Sequence, residues 1–124
     1  MTIAQALETV NTLKPNQYSD SQKVSWLSQL DGKIYAELFA THEGAPESFT
    51  PYTDETDKEM NLLVGFPYDQ DIYNYYLQSM IDRENGEVAK FNQSGALFNN
   101  AYMEFTAQYN RTHVPLPRKS AFRF

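Results

Sequence analysis

Cysteine is absent from the 124 residues, which removes disulfide frameworks, thiol nucleophiles and cysteine-based zinc sites together. No apolar run approaches the roughly 20 residues that a bilayer-spanning helix needs, so no membrane partner is expected. The opening Met1-Thr2-Ile3-Ala4-Gln5 has no basic region followed by an apolar core. It does not read as a signal peptide, and synthesis and folding in a cytoplasm are expected. The matches to an N-glycosylation sequon at Asn92-Gln93-Ser94 and Asn110-Arg111-Thr112 are then coincidental. Neither G-x-G-x-x-G nor G-x-x-x-x-G-K-[ST] occurs, so no phosphate-cradling loop is legible. Nothing resembles a nucleophile elbow, although a Ser–His–Asp arrangement is a matter of geometry rather than of order along the chain. Internal repeats and low-complexity tracts are missing too. An enzyme is not expected, and no residue is singled out as catalytic, metal-binding or cofactor-binding.

Aromatic residues, by contrast, are plentiful at 15%, with nine tyrosines and eight phenylalanines. Tyrosine suits surfaces that are partly buried and partly wet, so the surplus points equally to a small aromatic core and to an interface. Charge is unevenly placed. Residues 1–110 carry 6 basic and 16 acidic side chains, a net of −10, whereas residues 111–124 carry Arg111, Arg118, Lys119 and Arg123 with no acid. An acidic body repels nucleic acid, whose binding is dominated by neutralised phosphates, so sequence-specific nucleic-acid binding is not expected. The basic end suits an acidic partner surface.

Hydrophobic spacing predicts four helices and an all-α, four-helix bundle-like domain. Thr2 is a suitable N-cap for a first helix to Leu13, with Gln5 placed for a capping box and Ile3, Ala6, Leu7 and Val10 in a stripe. Pro15 stops it. Ser19 or Asp20 opens a second helix to about Thr41, where Val24, Leu27, Leu30, Ile34 and Leu38 define one buried face. Trp26, Tyr35 and Phe39 widen that face or form a second. Gly32 inside it either permits close packing or marks a kink. A third helix starts near Tyr68 or Asp69 with acids in its first turn, where the helix dipole favours them. It carries Ile72, Tyr76 and Met80 beside Tyr73, Leu77 and Ile81. Asn85-Gly86 reads as a turn or kink. A fourth helix from about Glu87 to Asn110 places Val88, Phe91, Phe98, Tyr102, Phe105 and Tyr109 on one side. The last two helices should pack as an antiparallel pair. The two histidines, His42 and His113, fall at helix ends, where they are expected to satisfy terminal carbonyls.

Residues 43–68 break the helical pattern and read as a long acidic loop, with Phe49, Tyr52 and Met60–Val64 offering two short strands of a small β-hairpin. Loops of this length in compact domains tend to be functional or mobile. Asp54, Glu55, Asp57 and Glu59 supply oxygen ligands, yet the EF-hand order with its central glycine is missing, which favours a solvated loop. Asn74, Tyr75, Gln78, Asn99, Asn100 and Gln108 lie off the apolar stripes and make a tyrosine- and amide-rich flank suited to contact between protomers, with a merely polar exterior as the plainer reading. Beyond His113, residues 114–124 form an extended, basic C-terminal arm separate from the helical domain of residues 1–113. Val114-Pro115-Leu116-Pro117 cannot be helical, and Phe122 and Phe124 alternate as strand side chains do. A frayed tail, or a strap over its own domain, are the plainer readings of that arm.

One resemblance covers most of the chain outside the acidic loop. It rests on Leu13-Lys14-Pro15-Asn16, Lys23-Val24-Ser25-Trp26-Leu27, Phe66-Pro67-Tyr68-Asp69, Ile72-Tyr73, Tyr76-Leu77, Met80-Ile81-Asp82, Asn85-Gly86-Glu87, Phe91-Asn92, Ala96-Leu97-Phe98-Asn99 and Ala101-Tyr102. Together these resemble the small head–tail connector (adaptor) proteins of tailed bacteriophages and prophages of Gram-positive bacteria. The resemblance implies a virion protein of the neck, assembled in the host cytoplasm. It would form a dodecameric ring that extends the DNA channel beneath the portal and receives the next neck or tail-completion protein. Under that reading the arm, through Val114, Leu116, Arg118, Lys119, Phe122, Arg123 and Phe124, grips the portal. Phe49, Tyr52, Asp54, Glu55, Asp57 and Glu59 line the channel or face the next ring. A small acidic regulatory or inhibitory protein with one phage or host partner is the alternative, as is a tail-completion or capsid-decorating protein.

Overall fold

The structure is a computed structural model that describes residues 1–117. Arg118, Lys119, Phe122, Arg123 and Phe124 of the expected arm lie outside the described residues. The protein is all-α, and the described residues form four helices: α1 (Ile3–Leu13), α2 (Asp20–Glu37), α3 (Asp69–Glu84) and α4 (Val88–Thr112), and a short 3-10 turn at Phe39–Thr41 after α2. Among the described residues no helix is long and apolar enough to cross a membrane.

Each helix end has a local cause. The Thr2 hydroxyl accepts from the Gln5 amide at 3.1 Å, and the Gln5 side chain accepts from the Thr2 amide at 2.9 Å, which completes the capping box. The free amides of Ile3 and Ala4 are met from the loop, by the carbonyls of Met60 at 3.1 Å and Lys58 at 2.8 Å. Ser19 caps α2 through the Gln22 amide at 3.1 Å. At the end of α3, Gly86 takes φ +74°, a left-handed conformation that costs glycine little. The Gly86 and Glu87 amides then return to the carbonyls of Arg83 and Asp82 in a Schellman arrangement. That turn sends α4 back along α3 as an antiparallel neighbour.

The stripes of α1, α2 and α3 are buried as their spacing predicts, apart from Tyr76 of α3, which is half-buried. Each fully buried aliphatic side chain contributes roughly 1.5–3 kcal/mol relative to exposure. Gly32 sits inside an unbroken α2 beneath the Phe49 ring, so it marks no kink, and a Cβ there would meet Cε2 at 3.6 Å, an ordinary van der Waals contact that does not itself demand glycine.

Two expectations need correction. The segment 43–68 contains no hairpin: Asn61 makes one isolated bridge to Thr2, and the backbone groups that would have paired two strands cap α1 instead. The expected apolar side of α4 is only partly covered. Phe105 and Tyr109 are buried and Phe91, Phe98 and Tyr102 half-buried, while Val88 is 69% exposed. The cause is geometric. Among the described residues α3 is the only α-helix that packs on α4, and α4 is 25 residues against 16. Past the start of α3, the rings of Phe39 and Tyr68 take over as neighbours of Phe105.

Candidate functional site

The loop is pinned by a carboxylate that no motif in the sequence marks. Asp31 is fully buried in α2. Its Oδ2 accepts from the Tyr52 hydroxyl at 2.6 Å and the Leu63 amide at 3.1 Å, and its Oδ1 accepts from the Tyr73 hydroxyl at 2.7 Å. The Tyr73 oxygen in turn accepts from the Val64 amide at 2.8 Å. One acid thus joins α2, α3 and two separate stretches of the loop. Burial pushes the Asp31 carboxyl upward, against three hydrogen bonds that pull it down. Burial and the facing carboxylate raise both tyrosines as well. A signal does exist in the spacing: position 31 falls in register with Val24, Leu27, Ile34 and Leu38, on a face otherwise apolar.

The same node holds Tyr52, expected to line a channel or face the next ring, inside the subunit: its ring is buried, in edge contact with Phe49 at 5.3 Å. An aromatic ring with a hydroxyl that finds a carboxylate inside gains more from burial than from water. Phe49 is half-buried and stacks on Tyr35 at 6.2 Å. Asp54, Glu55, Asp57 and Glu59 belong to the outer tip, and all four residues are exposed. Ser21 at the start of α2 donates to Asp54 at 3.1 Å, and Asp57 accepts from the Glu59 amide at 3.0 Å. The tip is therefore a shaped acidic surface held to the N-terminal end of α2.

A second polar centre joins three segments. Asp82 of α3 is 1% exposed, receives the Lys14 ammonium from just beyond α1, and accepts from Ser94 of α4 at 2.9 Å. Lys23 is buried beside the α1–α2 turn, donating to Asn11 at 2.6 Å and to the Tyr18 carbonyl at 2.9 Å. Desolvation lowers its ammonium, with Asp20 opposing.

At the other end of α2 the arm begins as a strap. The Glu43 amide donates to the Val114 carbonyl at 2.8 Å and the Leu116 amide to the Thr41 carbonyl at 2.8 Å, pairing His42 with Pro115 antiparallel. In that register residue 115 turns its backbone away from 41–43, so proline sacrifices no donor the pairing needs. The outward edge loses a donor there, which blunts it against a further strand. The side chains of Val114 and Leu116 stay 60% and 43% exposed. His42 fastens the strap's seat: its Nδ1 lies 2.7 Å from the Leu38 carbonyl and its Nε2 2.7 Å from the Asn110 side-chain oxygen. His113 lies 3.2 Å from the Tyr109 carbonyl and stacks on the Tyr109 ring at 3.8 Å. Both histidines meet helix-ending carbonyls, as their positions predict. An open groove of about 640 Å³ runs beside the strap, bounded by Glu37, Ala40, His42, Asn110 and Leu116.

The flank residues divide between two helices. Asn74, Tyr75 and Gln78 of α3 are half-buried, with Gln78 donating to Asn74 at 3.1 Å. On α4, Asn99 and Asn100 are exposed and Gln108 is half-buried. Among the described residues no three His, Asp or Glu side chains converge as metal ligands do. Three described surfaces are open to recognition: the acidic tip, the strap and the long outer side of α4. No family model, curated protein or solved structure matches the chain.

Proposed function

We propose that this chain is a structural subunit of a phage neck, forming a ring between portal and tail through its helical flanks and attaching to the portal through its C-terminal arm. The observation that carries the reading is the outer side of α4. Met103 is 67% and Leu97 41% exposed, on a helix that one neighbouring helix covers among the described residues. A helix left this bare on a folded subunit suits burial against other copies. The resemblance to head–tail connectors supplies the setting, and two surface features agree with it. The tip acids Asp54, Glu55, Asp57 and Glu59 suit a channel that must pass DNA without gripping it. The strap, seated on 41–43, presents Val114 and Leu116 outward, and the basic residues Arg118 and Lys119 come directly after it in the sequence.

Co-expression with the portal protein of the same genome tests this. Native mass spectrometry and electron microscopy should find the full chain as a multi-copy ring on portal, and a chain ended at residue 117 should stay folded without binding. A one-to-one complex with a non-virion partner would favour a small acidic regulator instead. Full-length protein that ignores portal would overturn the neck assignment.

A further inference from the structure

The outer side of α4 carries a pattern that specifies its own complement. From Phe91 to Asn110 the only charged residue is Glu104, although most of these side chains are not buried. A solvated helix face ordinarily bears many charges. Lys90, Gln93, Leu97, Asn100, Glu104, Ala107 and Arg111 alternate spacings of three and four, and every one is exposed. That is the period at which one helix can follow another along a straight seam. Leu97 lies midway between Lys90 and Glu104, about two turns from each. Glu104 makes no ion pair among the described residues, and Lys90 reaches only Glu87 of its own helix start, at 3.5 Å with both groups in water.

We propose that α4 pairs with the α4 of a second copy in antiparallel register, with Leu97 of both copies at the two-fold axis and each Lys90 beside the other copy's Glu104. An isologous contact repeats every interaction, so Lys90 and Glu104, equidistant from Leu97, face each other across the seam only when the two helices run antiparallel. Parallel pairing would set lysine on lysine and glutamate on glutamate. The bulk charge agrees, because fifteen of the sixteen acids precede Val88, and contact through α4 keeps the two acidic bodies outermost. This association belongs to the free subunit and does not depend on the neck assignment.

The absence of cysteine makes the test clean, since any thiol cross-link must come from an introduced residue. Single-cysteine full-length chains Leu97→Cys, Lys90→Cys and Glu104→Cys are treated with a short bis-maleimide, one partner of each mixture being isotopically heavy. Leu97→Cys should link to itself far above an exposed control on α2, Ser25→Cys. Lys90→Cys and Glu104→Cys should link to each other in preference to themselves. In sedimentation, Lys90→Glu should weaken the dimer about tenfold, and Lys90→Glu with Glu104→Lys should restore it. Self-linking at positions 90 and 104, linking at 97 no better than the control, or no rescue by the double exchange overturns the proposal.

Discussion

Asp31 shows how one residue can decide where a long stretch of chain goes. Three donors converge on it from the loop and α3, and the carboxylate itself is shut off from water. Hydrogen bonds to a buried charged group contribute roughly 1.5–3 kcal/mol each, and orphaned donors cost a comparable amount. The folded protein raises the Asp31 carboxyl above its ordinary range, so the native state holds its proton to a higher pH than the unfolded chain. The associated stability is present in full below the ordinary carboxylate range and is lost as pH rises through the raised value. Asp31→Asn removes that slope. In thermal melts, the stability of the unaltered protein relative to this variant should therefore be greatest at low pH and decline as pH rises. A difference that stays constant with pH would mean that Asp31 titrates as it does in the unfolded chain.

Among the elements, the helices and the antiparallel pairing of α3 with α4 are legible in the sequence, and the other partners are not. The capping box at Thr2, the Ser19 cap and the Asn85-Gly86 turn are local chemistry, and each appears where spacing and residue type place it. The segment 43–68 misleads because alternating apolar residues look the same whether they pair as strands or pack singly against helices. Here Tyr52, Leu62 and Val64 pack into the core, while the backbone caps α1. The strap is the clearest case of a choice left open by sequence, since prolines at 115 and 117 forbid a helix but do not name a neighbour. Replacing His42 by alanine removes its contacts with the Leu38 carbonyl and Asn110. Amide exchange at Glu43 and Leu116 should then quicken by about tenfold or more, with the α1 amides unchanged, as one lost hydrogen bond requires. Unaltered exchange at those two amides would show that the strap needs no such clip.

At the scale of the whole molecule, the acidic tip and the strap lie at opposite ends of α2. The acidic tip is held at its N-terminal end through Ser21, and the strap that precedes the basic residues lies at its C-terminal end beside Thr41. An 18-residue helix separates the two by about 27 Å, several times the screening length of roughly 8 Å at physiological salt. Strap and tip therefore act as independent surfaces. If the chain binds portal as proposed, with the basic residues steering the arm, that capture should weaken about tenfold between low and high salt, chiefly through slower association. Capture indifferent to salt would transfer the affinity to Val114, Leu116 and the phenylalanines.

Composition and periodicity by themselves determined an all-α chain, where its helices start and its uneven charge, because caps, turns and amphipathic stripes are written in neighbouring residues; the end of α2 at Glu37, short of the expected Thr41, was not legible. Only the tertiary structure decided that Tyr52 faces inward, that the loop closes over α1 and α2, that residues 114–117 fold back as a strap, and that α4 keeps its outer side bare. Each of those depends on which distant group offers a hydrogen bond or an apolar surface, and no spacing along the chain encodes that.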